Sequence, residues 1–567
     1  MSSSAARQLK RLDALKGRYG GDAGPSKIAV LRDLERRRLA RPRDVLTLHE
    51  ALCFLRAYPD SPEVLDVVER MLDGFARRGD LARFRRQLAD TGIAGTTIYY
   101  RFYWITARWL ARRWPRNLSL DWAEIDDPER IERLLPLLAA YFESLALDAL
   151  DFPPREWLRR LAGPHETDAS FLIRRFDRLR ADPALTEALF EDVDVPIVLS
   201  PGPDTPSRTR AKYRSAAVVF QTRPLARDRP SLHDEARRPP LAVRPLALNE
   251  ARSAIDLARE AMVTRGRDLD AFAHADERDV RMVECGNGLQ FVCYGTLPAR
   301  RLVLEAVYGF LTLKNGVPIG YVLASALLGS SEVAFNVFET YRGTEAGSVF
   351  GRVIAMVRHL FGSDAFAIDP YQLGYGNEEG LSSGAWWFYY KLGFRSHDPR
   401  VRRLLRSELG RMRAKPGHRS SARVLERLAN DYLYFFLGRP RRGVLGRFSP
   451  GRLGLRLSRL VAERFGADRE KAARECAREA AARAGLRSLR SFTRDERTAW
   501  ERWSPLILCL PDVERWSATH RRSLVEVVRA KGGRRESDFV RLFDRHRPLR
   551  DALLRIAAES DADRRSE

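Results

Sequence analysis

Between Glu332 and Phe394 the order of residues leaves few folds open. An apolar run, Val333 to Phe338, has the length of a strand and leads into Tyr341-Arg342-Gly343. A helical pattern follows from about Glu345 to Leu360, then a second apolar run, Ala365 to Ile368. The stretch closes on a helix carrying Ala385, Tyr389 and Tyr390, ended by Gly393-Phe394. Strand, glycine-bearing turn, helix, strand, helix is a βαβ unit whose turn presents backbone N–H groups to an anion.

These residues resemble the acyl-CoA-binding half of the GNAT superfamily of N-acyltransferases. The family turn, Arg/Gln-x-x-Gly-x-Gly/Ala, is matched by Arg342-Gly343-Thr344-Glu345-Ala346-Gly347 at its first and last positions. The family helix, Asn-x-x-Ala-x-x-x-Tyr-x-Lys-x-Gly-Phe, is matched by Ser382 to Phe394 everywhere except Ser382. Two positions depart from the pattern: Glu345 stands where the family has glycine, and Ser382 where it has asparagine. The resemblance covers roughly 240–398. It implies acetyl-CoA or another acyl-CoA as co-substrate, with pantetheine along Phe335, Asn336 and Val337. The pyrophosphate would lie beside Arg342 on the N–H groups of Gly343, Thr344, Glu345, Ala346, Gly347 and Ser348, with Ser382 near the cofactor. Tyr389 takes the place of the general acid for the leaving sulfur, and Glu332, at the start of the same strand, that of the base.

The residues themselves leave alternatives. Tyr389 also serves as core filling beside Trp386 and Phe388, and Glu332 as a solvated strand-end acid. Gly343 and Gly347 also fit ordinary helix entry. His359 is expected to be structural, and His397 stands near the motif in sequence alone.

Around this unit the expected fold class is α/β: a central GNAT-like mixed sheet with helices, flanked by N-terminal and C-terminal all-helical domains. A chain of 567 residues is too long for one ordinary domain. Residues 1–25, rich in Ser, Ala, Gly and basic residues, read as a mobile tail, and 26–194 as the first helical domain. There Ser61-Pro62-Glu63 is a helix start. In 98–116, arginines interleave with Tyr99, Tyr103, Trp104, Trp109 and Trp114. One reading is a stacking groove for bases or an anion. The other is a buried helix whose arginines pair with acids such as Asp121 and Glu124. The Pro-rich 195–240 reads as a linker or wrapping connection with one strand-like run, Ala216 to Gln221. The GNAT-like domain is 241–398: a helix from Asn249 as N-cap, and a hairpin turn at Asn315-Gly316 joining two of its strands.

Residues 399–567 form the basic helical domain. Of the net charge of +24, the segment 401–567 supplies most, with 41 Lys+Arg against 22 Asp+Glu. Such an excess suits nucleic acid or another polyanion. The five scattered cysteines form no C-x-x-C, so neither a zinc site nor a disulfide framework is readable, and no metal is expected. No signal peptide or spanning segment is seen, which predicts a cytoplasmic location. The activity expected first is acyl-CoA-dependent transfer, of acetyl above all, to an unidentified amine. The alternatives are a non-catalytic GNAT-like scaffold that binds a polyanion through its basic third, and an aminoacyl-tRNA-dependent transferase.

Overall fold

A computed structural model describes residues 4–563, apart from Arg180, Ser215, Ala216, Arg227 and Thr344 and from the side chains beyond Ala557. The chain forms two compact units. The first comprises Met1–Leu225, Arg252–His274 and Leu313–Ile319, the second Ala226–Ala251, Ala275–Thr312 and Gly320–Glu567.

The first unit is mostly helical but not all-helical as expected. Three short strands, β1 (Ile98–Tyr100), β2 (Leu118–Leu120) and β3 (Ile197–Leu199), form an antiparallel sheet in the order β1-β3-β2. Their alternating Ile and Leu residues are buried in one core with Phe171, Leu172 and Phe176 of the Asp168–Asp177 helix. Three residues are too few for a period-2 pattern to stand out from a helical background. The expected mobile tail is also corrected. Ser4–Leu15 is a helix because Leu9 and Leu12, three residues apart, bury one face. Ser61 caps Pro62–Asp73 as its sequence predicts, accepting from the Val64 N–H at 3.4 Å.

The Pro-rich 195–240 connection carries β3 and a short helix, Leu232–Glu235. Within the first unit it is pinned by the buried Arg56, whose guanidinium donates to the carbonyls of Thr209 at 2.6 Å and Arg208 at 2.9 Å. Of the strand-like run expected at 216–221, Ala216 lies outside the described residues and 217–221 form no strand. The Asn315-Gly316 turn forms with positive φ at both residues, 51° and 78°. The Asn315 amide also donates to the Ala57 and Val219 carbonyls, 2.8 and 3.1 Å away.

The second unit is built on a mixed sheet of eight strands: β4 (Ala242–Pro245), β5 (Ala275–Gly286), β6 (Leu289–Thr296), β7 (Ala306–Lys314), β8 (Val317–Leu327), β9 (Ser330–Val337), β10 (Ala365–Ile368) and β11 (Leu433–Phe436). The order runs β11-β10-β9-β8-β7-β6-β5-β4. The β9–β10 pair is parallel, joined by the Ala346–Phe361 helix, whereas β8–β9 and β10–β11 are antiparallel. That helix buries Val349, Phe350, Val353, Ile354 and Val357 in the same core as Val333, Phe366 and Ile368.

Two expectations about the C-terminal third change. It is not all-helical, because Leu433–Phe436 completes the sheet. Period-2 burial sends Leu433 and Phe435 to one face and Tyr434 to the other. Nor are its helices a separate layer: Trp500, Trp503, Phe539 and Phe543 share one hydrophobic core with the sheet. β5 is not legible in the sequence, because Asp276, Asp279 and Arg281 sit inside it and are buried. Arg281 pairs with Asp279 at 3.2 Å, and the Tyr308 hydroxyl donates to Asp279 at 2.6 Å. Among the described residues, no helix is long and apolar enough to cross a membrane.

Candidate functional site

The parallel pairing of β9 with β10 covers only Ser330, Ser331 and Glu332, opposite Ala365, Phe366 and Ala367. β9 runs on to Val337, still paired with β8 as far as Gly320. Past Glu332 the two parallel strands therefore part, and among the described residues the β10-facing edge of 333–337 makes no strand pair. On the other side β8 comes very close. A Cβ on Gly320 would lie 2.3 Å from the Asn336 carbonyl oxygen, so only glycine fits there.

A cavity of about 510 Å³ opens beside this edge. Phe335, Asn336 and Val337 line it from β9, Arg342, Gly343 and Ala346 from the turn, and Ser382 and Tyr389 from the later helices. Eight of the residues singled out in the sequence are thus brought together. Aromatic packing shapes the inner end: the Phe335, Phe350, Phe388 and Tyr389 rings contact one another, with the Phe350 and Tyr389 centroids 5.4 Å apart. Tyr389 is buried. Burial pushes its phenol well above the ordinary tyrosine range, partly offset by a backbone hydrogen bond from Phe335 at the open edge. The Asn336 side-chain oxygen is buried without a hydrogen-bond partner among the described residues.

The turn differs from the expected cradle. Gly343 has φ 76° and is exposed, and a Cβ there would meet nothing. Gly347 turns away from the cavity: a Cβ would touch Pro230 at 3.4 Å and the Asp228 carbonyl at 3.5 Å. Glu345 is the N-cap of the Ala346–Phe361 helix, but its side chain makes no capping bond. Neither Glu345, Gly347 nor Ser348 lines the cavity, and Thr344 lies outside the described residues. The N–H groups of Ala346, Gly347 and Ser348, in the first turn of a 16-residue helix, have no intrahelical acceptor. Arg342 forms an ion pair with Glu379 and donates to the Val337 carbonyl at 3.2 Å. Ser382 donates to the Glu379 carbonyl at 3.1 Å.

Glu332 lies on the opposite face of β9. Alternation puts Val333 and Phe335 toward the helix and Glu332, Ala334 and Asn336 away from it. Burial raises the Glu332 carboxyl to about 7, helped by the negative charges of Asp369 and Glu305 and opposed by a hydrogen bond with Tyr432. The Tyr432 and Tyr434 rings stack beside it, 6.0 Å apart.

Sequence reasoning missed Asp369, Tyr432, Asn377 and Glu379. Asp369-Pro370 was the available signal for the first, since this carboxylate caps a short helix by accepting from the Tyr371 N–H at 2.8 Å. Asn377 likewise caps Glu378–Ser383, accepting from Gly380 at 3.1 Å, and lines the cavity. Tyr432 had no local signal, because β11 brings it in from a distant part of the chain. His397 packs edge-on against Tyr434, 5.6 Å between centroids, and is not a cavity residue. The His359 carbonyl accepts from Arg541.

In the first unit, the arginines of 98–116 are paired. Arg101 meets Asp194 and Asp126, Arg108 and Arg112 share Asp177, and Arg113 meets Asp256. Trp104 and Trp109 are buried. This is the buried-helix alternative, with different acids from those expected. Comparison of the chain with protein families, curated proteins and solved structures finds no match.

Proposed function

We propose that the second unit is an acyl-CoA-dependent N-acyltransferase of GNAT-like architecture, using acetyl-CoA or a related thioester and an amine acceptor. The observation that carries this reading is the parting of β9 and β10 after Glu332. It leaves a strand edge with backbone N–H donors beside a cavity that runs from Tyr389 to a helix N-terminus. Such a helix end suits a pyrophosphate, and an unpaired strand edge suits an extended amide-containing arm such as pantetheine. The buried Asn336 oxygen is an acceptor for an amide N–H of that arm.

In this reaction the acceptor ammonium gives a proton to the Glu332 carboxylate, and the free amine attacks the thioester carbon. The tetrahedral oxyanion accepts a backbone N–H at the open edge. Collapse breaks the C–S bond, the thiolate takes the Tyr389 proton, which burial keeps in place near neutral pH, and the second amine proton, left on the amide nitrogen, returns to the phenolate. Tyr389 lines the cavity; Glu332 does not, and takes the acceptor's proton from the other face of β9.

A second reading, a polyanion-binding protein, draws on Arg402, Arg403 and Arg406. These are exposed on the Pro399–Ala414 helix, with no carboxylate at ion-pair distance among the described residues. One titration separates the readings. Calorimetry of the full chain with acetyl-CoA at moderate salt is expected to give a Kd of about 1 μM to 1 mM, weakened about tenfold by Arg342→Ala. No saturable binding, alongside salt-sensitive binding of RNA, would replace the enzyme with the polyanion binder.

A further inference from the structure

A second cavity, about 520 Å³, lies in the same unit, lined by other residues. One wall is the strap Leu302, Val303, Leu304 and Glu305, and another is the Pro450–Phe465 helix. Pro505 and Leu506 line it from the Arg494–Cys509 helix. The strap is held firmly. The Trp503 indole donates to the Val303 carbonyl at 2.7 Å, and the buried Lys531 ammonium to the Glu305 carbonyl at 2.8 Å.

The lining is apolar except for Glu305, Ser458 and two guanidiniums, Arg469 and Arg502. Arg469 donates to the Gly466 carbonyl at 2.6 Å, and Arg502 to the Ala299 carbonyl at 2.9 Å and the Pro298 carbonyl at 3.5 Å. Neither meets a carboxylate at ion-pair distance among the described residues. Each guanidinium has five N–H donors, so both retain donors and an uncompensated positive charge. This contrasts with the Trp104–Arg113 helix, whose arginines have acid partners.

We propose that this groove binds a single-chain carboxylate amphiphile, a fatty acid of about twelve carbons, with its alkyl chain along Leu304, Leu453, Leu457 and Leu506 and its carboxylate on Arg469 and Arg502. The volume accommodates a chain of about a dozen carbons, given roughly 30 Å³ for a water-sized group. A guanidinium matches a carboxylate with two parallel N–H bonds. Burial shifts the Glu305 carboxyl upward, against the opposing pull of the Lys531 ammonium, which lessens its repulsion of the anion. The groove is a separate binding site, and its assignment does not depend on acyl transfer.

Gly454 gives the test. It lines the groove from a helix, and a Cβ built on it meets nothing within 4 Å, so a larger side chain fills the groove without backbone strain. The full chain is titrated by calorimetry with dodecanoate below its micelle concentration, and in parallel with dodecylamine and with phosphatidylglycerol vesicles. One saturable dodecanoate site is expected, weakened at least tenfold in Gly454→Trp and in the double variant Arg469→Gln/Arg502→Gln, with dodecylamine binding at least tenfold more weakly. Thermal melts confirm folding, and the surface arginine pair provides an independent reading if Gly454→Trp does not fold. The proposal is overturned by no saturable binding, by equal binding of the amine, by undiminished binding in folded variants, or by binding to vesicles alone.

Discussion

The two faces of β9 solve opposite problems with the same strand. On the helix face, Phe335 sits among aromatic rings, and a buried phenol is kept protonated. On the other face, Glu332 sits among Asp369, Glu305 and Tyr432, and its carboxyl is raised to about 7, where it exchanges protons readily. Burial moves both groups upward, because it penalises whichever form is charged. For the tyrosine this secures a donor, and for the glutamate it makes a base of useful strength near neutral pH. The strand's period of two thus parts the Glu332 carboxyl from the face against which the Tyr389 phenol, carried by the Ala385–Lys391 helix, is buried.

Removing the base should cost most. Glu332→Gln is expected to lower kcat by about 10²–10⁴-fold with little change in acyl-CoA affinity. Wild-type activity should rise with pH through about 7, as the carboxylate forms. The same group binds its proton more tightly folded than unfolded. Its contribution to stability is therefore complete below the unfolded value near 4.5 and is lost as pH rises through about 7. In the glutamine variant both inflections should vanish, and a pH–activity profile that keeps its inflection would take Glu332 out of the chemistry.

Tyr389→Phe should cost less, about tenfold in kcat, because a thiolate leaves without much help from an acid. Single-turnover kinetics checks this against acyl-CoA affinity measured separately. Full activity would reduce the phenol to packing.

The smallest effect is expected at the mouth of the cavity. The Arg342–Glu379 pair is partly exposed, so it is worth about 0.2–1 kcal/mol, and a pyrophosphate must displace it. Glu379→Gln should then tighten acyl-CoA binding by about two- to fivefold. Weaker binding would assign Glu379 to the ligand rather than to the resting arginine.

Much of this site was legible where the signal was local. Ala365–Ile368 is bounded correctly by its apolar run, and the Asn315-Gly316 turn by its dipeptide. Arg342, Gly343 and Tyr389 were found by motif, and all line one cavity. Gly347 matched the same motif, yet it packs against Pro230, a neighbour that only the tertiary fold supplies. β5 escaped because Asp279 and Arg281 are buried as an ion pair, with the Tyr308 hydroxyl donating to Asp279, so hydropathy pointed the wrong way. Tyr432 reaches Glu332 only because β11 crosses back to the sheet, which no window on either segment contains.

That crossing also orders events in time. β10 is one strand of a parallel pair whose outer edge is closed by Leu433–Phe436. At about 5–20 residues per second of synthesis, β10 emerges some seconds before its cover does. During that interval its outer edge, with Ala365, Phe366, Ala367 and Ile368, is a bare apolar template for another chain. A polypeptide ending near residue 398, where the sequence suggests a boundary, would never leave that condition. The C-terminal third thus acts as a guard on the nascent sheet.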